Sequence, residues 1–159
     1  MLGGLARWLR MLGYETEYDS KAEDNNLLRS SQTPETILLT RDEELYNRAL
    51  GKNIHSILVL GEKEETRLAQ LARMLSISLE IDMAVTRCPE CGSELHQISR
   101  EEASSAVPAK SLELYDRFWR CNNAGCGKTY WVGSHWKQIH HTLEEARKIT
   151  SLEEKDMKC

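Results

Sequence analysis

The sequence predicts an α/β fold, with a short parallel sheet interleaved with helices, followed by a small zinc ribbon. Three observations carry this prediction. Short apolar runs alternate with amphipathic stretches through residues 1–85, the order expected of parallel strands joined by right-handed helical crossovers. Two cysteine pairs, Cys88-Pro-Glu-Cys91 and Cys121-Asn-Asn-Ala-Gly-Cys126, lie in the second half. Short aromatic-rich runs flank the second pair, as the strands of a ribbon would. The boundaries read as 1–85 for the α/β domain, 86–141 for the ribbon, and 142–159 for a C-terminal helical extension and tail.

The first apolar run, Met1 to Tyr14, reads as a helix, with Leu2, Leu5, Ala6, Leu9 and Leu12 on one face and Arg7 and Arg10 largely off it. Gly13 is its stop. Gly3 and Gly4 suit a first turn, either because free N–H groups face an anion there or because a neighbour packs closely. Tyr14-Glu15-Thr16-Glu17-Tyr18 alternates and reads as a strand, and Asp19 to Asp24 as a polar loop. Asn25 to Ser31 forms a short helix, and a turn leads to Pro34.

Thr36-Ile-Leu-Leu-Thr-Arg-Asp42 is a buried strand ending in a charged pair, and an amphipathic helix follows to about Leu50. Gly51-Lys52-Asn53 breaks that helix. Ile54 to Leu60 is the most strand-like run, apolar enough to be covered on both faces. Glu62 to Ser76 is a helix with Leu68, Leu71, Ala72 and Leu75 on one stripe, and Ile77 to Arg87 is a connector.

In the second half, each cysteine pair is followed by glycine, Gly92 and Gly127, which suits tight turns whose N–H groups point at sulfur. Twenty-nine residues separate the pairs. Cys88, Cys91, Cys121 and Cys126 are the ligand set of a closed, structural tetrahedral zinc site with no open position for water. Glu94 to Ile98 is a strand. Ser99-Arg-Glu-Glu102 is a capping box opening a short helix, and Pro108 ends that region. Phe118-Trp-Arg120 and Thr129-Tyr-Trp-Val132 form a hairpin around the second pair. A last helix starts at Gly133-Ser-His-Trp136 and runs to about Ile149, and the charged tail to Cys159 is expected to fray. Cys159 receives no role.

The totals narrow the function. The formal charge of −4 is not that of a globally basic nucleic-acid binder. Residues 1–85 carry 10 Lys+Arg against 14 Asp+Glu, and residues 86–159 carry 11 of each. An acidic first half is compatible with a cation site. No apolar run approaches the roughly 20 residues of a membrane helix, and Arg7 and Arg10 interrupt any secretory signal. The chain therefore reads as cytoplasmic, with no membrane partner. Five cysteines in that setting point to metal or catalysis, with no disulfide partner expected.

Three carboxylates of the first half sit where ligands of an open α/β sheet belong: Asp19 after the first strand, Asp24 at a helix start, and Asp42 at a strand's carboxyl end. Clustered carboxylates hold hard cations, and such a cation activates water and stabilises phosphoryl charge. Each also has a local reading: a turn residue for Asp19, and helix N-caps for Asp24 and Asp42.

Motifs add to this. Met1-Leu-Gly-Gly-Leu-Ala-Arg-Trp-Leu-Arg-Met-Leu-Gly-Tyr14, Asp24-Asn-Asn-Leu-Leu28 and Ile37-Leu-Leu-Thr-Arg-Asp42 resemble the Mut-seven C-terminal RNase domain family. So do Cys88-Pro-Glu-Cys91-Gly92, Ser99-Arg-Glu-Glu102, Phe118-Trp-Arg-Cys121, Gly127-Lys-Thr-Tyr-Trp131 and Gly133-Ser-His-Trp136, in the same order over residues 1–137. The resemblance implies a PIN-like three-layer nuclease domain with a zinc ribbon, and metal-dependent RNA cleavage by clustered acids. It carries Asp24 and Asp42 over as catalytic acids that bind magnesium or manganese. The family pattern also has an aspartate at the end of a first strand, just before the Met-Leu-Gly run. This chain starts at Met1, so that strand and acid are missing from it, and either activity is lost or the start lies further upstream. Asn26 stands where an acid is usual. Gly61-Glu62 stands where a Ser-Asp pair is usual, so Glu62 substitutes in part.

The function so implied is a metal-dependent ribonuclease, a hydrolase acting on RNA phosphodiester bonds. The alternative is a non-catalytic RNA- or ribosome-binding zinc-ribbon protein that has lost a catalytic acid; a third reading is a structural partner whose zinc supports an interface. Arg7, Arg10 and Arg41 are candidates to meet phosphate, or are simply solvated. His135 is a candidate RNA contact or a local hydrogen-bonding residue. Trp136, with Trp119 and Trp131, offers stacking faces to bases or forms the ribbon's small core.

Overall fold

The computed structural model describes residues 2–158. The first helix, α1 (Gly3–Met11), buries Leu5, Ala6 and Leu9, and Leu12 follows into the same core. It stops at Gly13, whose φ of +95° is a left-handed value, and a Cβ there would meet Val85 Cγ2 at 2.9 Å. Glycine is required on both counts.

Arg10 departs from the sequence reading. It is 6% exposed. Its Nε donates to the Thr16 carbonyl at 2.9 Å, and its Nη1 to the carbonyls of Pro89 and Glu90, both at 3.0 Å. The guanidinium thus ties α1 to the first cysteine knuckle, and the Arg87 N–H returns a bond to the Arg10 carbonyl at 2.9 Å. We expect Arg10→Met, which keeps the stem's apolar contacts, to destabilise the fold by roughly 2 kcal/mol, because it removes three part-buried hydrogen bonds from a charged donor. A lower urea midpoint with an unchanged slope is the measurement.

Residues 14–18, expected as a strand, make no ladder. Side chains hold this segment instead. Thr16 gives its carbonyl to Arg10, and the Tyr14 hydroxyl accepts the Ser78 N–H at 3.1 Å.

The next helix, α2 (Asp24–Ser30), starts one residue before the expected Asn25, with Glu23 as its N-cap. Then come β1 (Leu38–Thr40), α3 (Glu43–Leu50), β2 (Ser56–Leu58) and α4 (Glu64–Leu75). β1 and β2 pair in parallel, with Leu38 opposite Ser56 and Thr40 opposite Leu58. One core cluster joins Leu5 and Leu9 of α1, Ile57 of β2 and Leu68 and Leu71 of α4. A second joins Leu28 of α2, Leu38 of β1 and Leu45 and Ala49 of α3. Helices therefore cover both faces of the short sheet, which explains its continuous apolar runs.

The second half forms β3 (Leu95–Ile98), α5 (Arg100–Ala103), α6 (Ala109–Leu114), β4 (Phe118–Cys121) and β5 (Thr129–Trp131), with an antiparallel sheet in the order β3-β4-β5. The capping box forms as expected: the Glu102 N–H reaches Ser99 Oγ at 3.1 Å, and the Ser99 N–H reaches Glu102 Oε2 at 2.8 Å. Pro108 ends nothing. It is the N-cap of α6, a place its missing N–H suits.

The last helix, α7 (Trp136–Lys158), is 23 residues long and continues past Ile149, where it was expected to fray. Its Leu143 and Ala146 are buried in the first core cluster, beside α4. Arg147 donates to the Leu79 carbonyl at 2.8 Å, and Arg73 of α4 pairs with Glu153. Tertiary packing, not propensity, holds the charged helix. Cys159 lies outside the described residues.

Candidate functional site

The strongest constellation is the four cysteines. Their sulfurs lie within 4.8 Å of one another, with Cys91 Sγ 3.4 Å from Cys121 Sγ and Cys88 Sγ 3.8 Å from Cys126 Sγ. Disulfide sulfurs would be about 2.05 Å apart, so these are not disulfide distances. Four sulfurs about 2.3 Å from a tetrahedral ion lie about 3.8 Å from each other, so the cluster fits the zinc of a ribbon. Cys88 and Cys121 are buried, and Cys91 and Cys126 are half-buried. The Gly92 N–H closes the first knuckle on the Cys88 carbonyl, and the Gly127 N–H closes the second on the Asn123 carbonyl, both at 2.8 Å.

The thiols are pulled in different directions. Burial pushes Cys91 up, but the Ser93 hydroxyl and N–H outweigh it, and its pKa falls to about 6. Burial raises Cys121 to about 12 against the opposing Asn123 N–H. Cys126 is held down by the Lys128 N–H, but burial and the neighbouring sulfurs leave it raised. The Tyr130 hydroxyl sits 3.1 Å from Cys88 Sγ; burial, then this contact, pushes the phenol well above its ordinary value, so it stays a neutral donor. The sequence reading found the four cysteines and missed Tyr130. The signal was there: Tyr130 sits between Thr129 and Trp131, so in a strand it faces the opposite side from them.

A pH dependence follows. Cys121 and Cys126 are protonated at neutral pH and must lose those protons to ligate, so metal binding releases at least two. Acid therefore weakens binding. We expect zinc affinity, measured by chelator competition, to fall at least about 100-fold for each pH unit lowered around pH 7, one decade per proton.

The acidic candidates are arranged differently. Asp42 follows β1 and is exposed, and its Oδ1 accepts the Leu45 N–H at 2.9 Å, so it is the N-cap of α3. Asp24 Oδ2 is held by Arg48 Nη1 at 2.9 Å, and Arg48 Nη2 also reaches Asn25 Oδ1 at 2.6 Å. Arg48 lies six residues beyond Asp42, about 9 Å of helix rise. Asp19 accepts the Lys21 N–H at 2.8 Å, a turn contact. Glu62 is exposed and pairs with Arg41 at 3.1 Å. Among the described residues, the one group of three or more His, Cys, Asp or Glu placed to share an ion is the tetracysteine.

Of the basic and aromatic candidates, Arg7 pairs with Glu90 at 3.1 Å and Arg10 is buried among carbonyls. Both line a cleft of about 250 Å³ with Gly3, Gly4, Tyr18 and Glu90. The glycines are closely approached: a Cβ on Gly4 would lie 2.7 Å from Glu64 Oε1, and one on Gly3 would lie 3.3 Å from the Tyr18 ring. Trp136 Nε1 donates to the Trp131 carbonyl at 3.1 Å, and its ring centroid is 6.5 Å from that of His135 and 5.6 Å from that of His140. Trp119 is buried, and Trp131 packs on the ribbon core.

No helix among the described residues is long and apolar enough to cross a membrane. No curated protein and no solved structure matches the chain significantly. The family model of the Mut7-C RNAse domain matches residues 1–143, a span that takes in the parallel sheet, both cysteine knuckles and the first part of α7. With nine-tenths of its length covered by that one model, the chain belongs to the Mut7-C RNAse domain family.

Proposed function

We propose that the chain is a metal-dependent ribonuclease that hydrolyses RNA phosphodiester bonds. The family match over residues 1–143 is the observation that carries this reading. Asp42, exposed at the carboxyl end of β1, and Asp24, at the start of α2, are the acids proposed to hold magnesium or manganese. Bound there, the cation would lower the pKa of water and neutralise charge developing on phosphate. The attacking water forms the new P–O bond and the 3′ or 5′ oxygen leaves. Arg41 and Arg7 are the proposed phosphate contacts; both are surface residues whose present partners, Glu62 and Glu90, are exposed enough to yield to RNA. His135 and Trp136 are proposed to meet RNA from the ribbon side. The tetracysteine is proposed to hold structural zinc. Sulfurs at metal-binding rather than disulfide distances support a cytoplasmic setting.

A second reading is a non-catalytic RNA- or ribosome-binding module. It is favoured by Arg48 holding Asp24 and by Asp42 serving as a helix cap. Purified protein incubated with labelled single-stranded RNA, with magnesium and then manganese, separates the two. Cleavage that requires the added metal supports the nuclease. Retained RNA in a gel-shift experiment without cleavage overturns it in favour of the module.

A further inference from the structure

The N–H groups of Ser93, Asn123 and Lys128, each two positions past a cysteine, pull down the pKa values of Cys91, Cys121 and Cys126. These groups belong to the knuckle turns themselves. Cys88 is the least accessible of the four, at 0% exposed. Its own N–H is spent on the Ser93 carbonyl at 2.8 Å. A donor from elsewhere in the chain faces its sulfur: Tyr130 Oη, 42 residues away, at 3.1 Å.

The strand geometry explains how it arrives. In β5, Thr129 pairs with Arg120, Tyr130 with Trp119 and Trp131 with Phe118. Trp131 packs on the ribbon's apolar core. Alternation turns its neighbour Tyr130 to the opposite side, where its hydroxyl meets sulfur.

We infer that Tyr130 is a positioning residue for the metal centre, its hydroxyl donating to Cys88 Sγ from outside the knuckle turns and so orienting and quieting that ligand sulfur. The inference rests on the reading of the four cysteines as a zinc site. Four thiolates around one divalent ion leave two excess negative charges, and each hydrogen bond to sulfur draws off part of that charge. Without its donor, Cys88 sulfur is the more nucleophilic and the more easily displaced. Tyr130 does not touch the metal.

The test uses the full chain, first assayed for zinc as purified. Tyr130→Phe keeps the ring and removes only the donor. We expect it to bind one zinc with affinity lowered about 10-fold. Limiting iodoacetamide, mapped by mass spectrometry, should label Cys88 faster relative to the other three cysteines. Ser93→Ala, which removes a donor from Cys91, should shift the labelling to Cys91 and leave Cys88 unmoved. A general loss of ribbon packing would raise all four cysteines together, and that outcome overturns the inference. Tyr130→Phe indistinguishable from the wild type, with zinc bound, also overturns it and leaves the zinc reading standing. Absence of zinc from purified wild-type protein removes both. A measurement on the wild type needs no variant to fold: in cadmium-113-substituted protein the Tyr130 hydroxyl proton should exchange slowly and couple to the metal through sulfur. A freely exchanging, uncoupled hydroxyl overturns the assignment.

Discussion

Asp42→Asn is expected to lower metal-dependent RNA cleavage by about 100-fold or more while shifting stability by no more than about 0.5–1 kcal/mol. The two effects separate because Asp42 has two jobs. As the cap of α3 it needs only an oxygen that accepts the Leu45 N–H at 2.9 Å. Asparagine supplies one and caps helices about as well. Only the charge beside the helix dipole is lost, and Glu43 and Glu44 remain in the first turn. As a proposed cation ligand, by contrast, it needs its charge. Two decades of rate correspond to roughly 3 kcal/mol of transition-state stabilisation, the scale of a lost metal ligand. Asp42→Ala is the complementary variant. It should lose cleavage too, and also about 1 kcal/mol of stability with the cap. An unchanged cleavage rate in Asp42→Asn would remove Asp42 from the reaction.

Chelation of the tetracysteine metal, or Cys121→Ser, is expected to unfold the ribbon and leave the α/β layers standing. The ribbon's apolar core is Ile98, Ala103, Val107 and Phe118, with Leu112, Tyr115 and Trp131 against it. So small a core does not hold a module together alone. Structural zinc contributes about 10–16 kcal/mol in small zinc modules, so its removal dominates every other term there. The layers around β1 and β2 have two core clusters of their own, so they keep their fold without the metal while α7 docks on them less tightly. Amide exchange read by NMR should show β3, β4 and β5 losing protection while α3 and α4 keep theirs. Protection of β3–β5 that survives chelation would contradict the metal staple.

Much of the architecture was legible because the relevant signals are local. Leu5, Leu9 and Leu12 repeat with the helical period, and Leu68 and Leu71 do the same in α4. The cysteine pairs with their glycines announce knuckles, and Ser99 with Glu102 announces a cap. Where the reading went astray, the deciding partner lay far along the chain. Arg10 looked solvated because nothing near it reveals the carbonyls of Pro89 and Glu90. Tyr14 to Tyr18 alternates like a strand, yet no neighbouring strand offers it a ladder, and side chains take its polar groups. Pro108 carried a stop signal that serves equally as a start. The tail's charges suggested fraying, but Leu143 and Ala146 anchor the helix on α4. In the candidate site, residue identities were readable and mutual geometry was not. The four sulfurs converge, whereas Asp24 leans on Arg48 and Asp42 on the start of α3.

The return of α7 to α4 makes the ribbon a detour rather than an appendage. About 80 residues separate Arg73 at the end of α4 from its partner Glu153 on α7. Left disordered, a stretch of that length costs about 3.9 kcal/mol, plus a constant, to close. Clamped to α1 through Arg10, and ordered around a metal when the cysteines are loaded, it is short-circuited, and much of that entropy is spent before the two helices meet. Metal loading would thus tighten a helix pair that the ion never touches, by raising the effective concentration of α7 at α4.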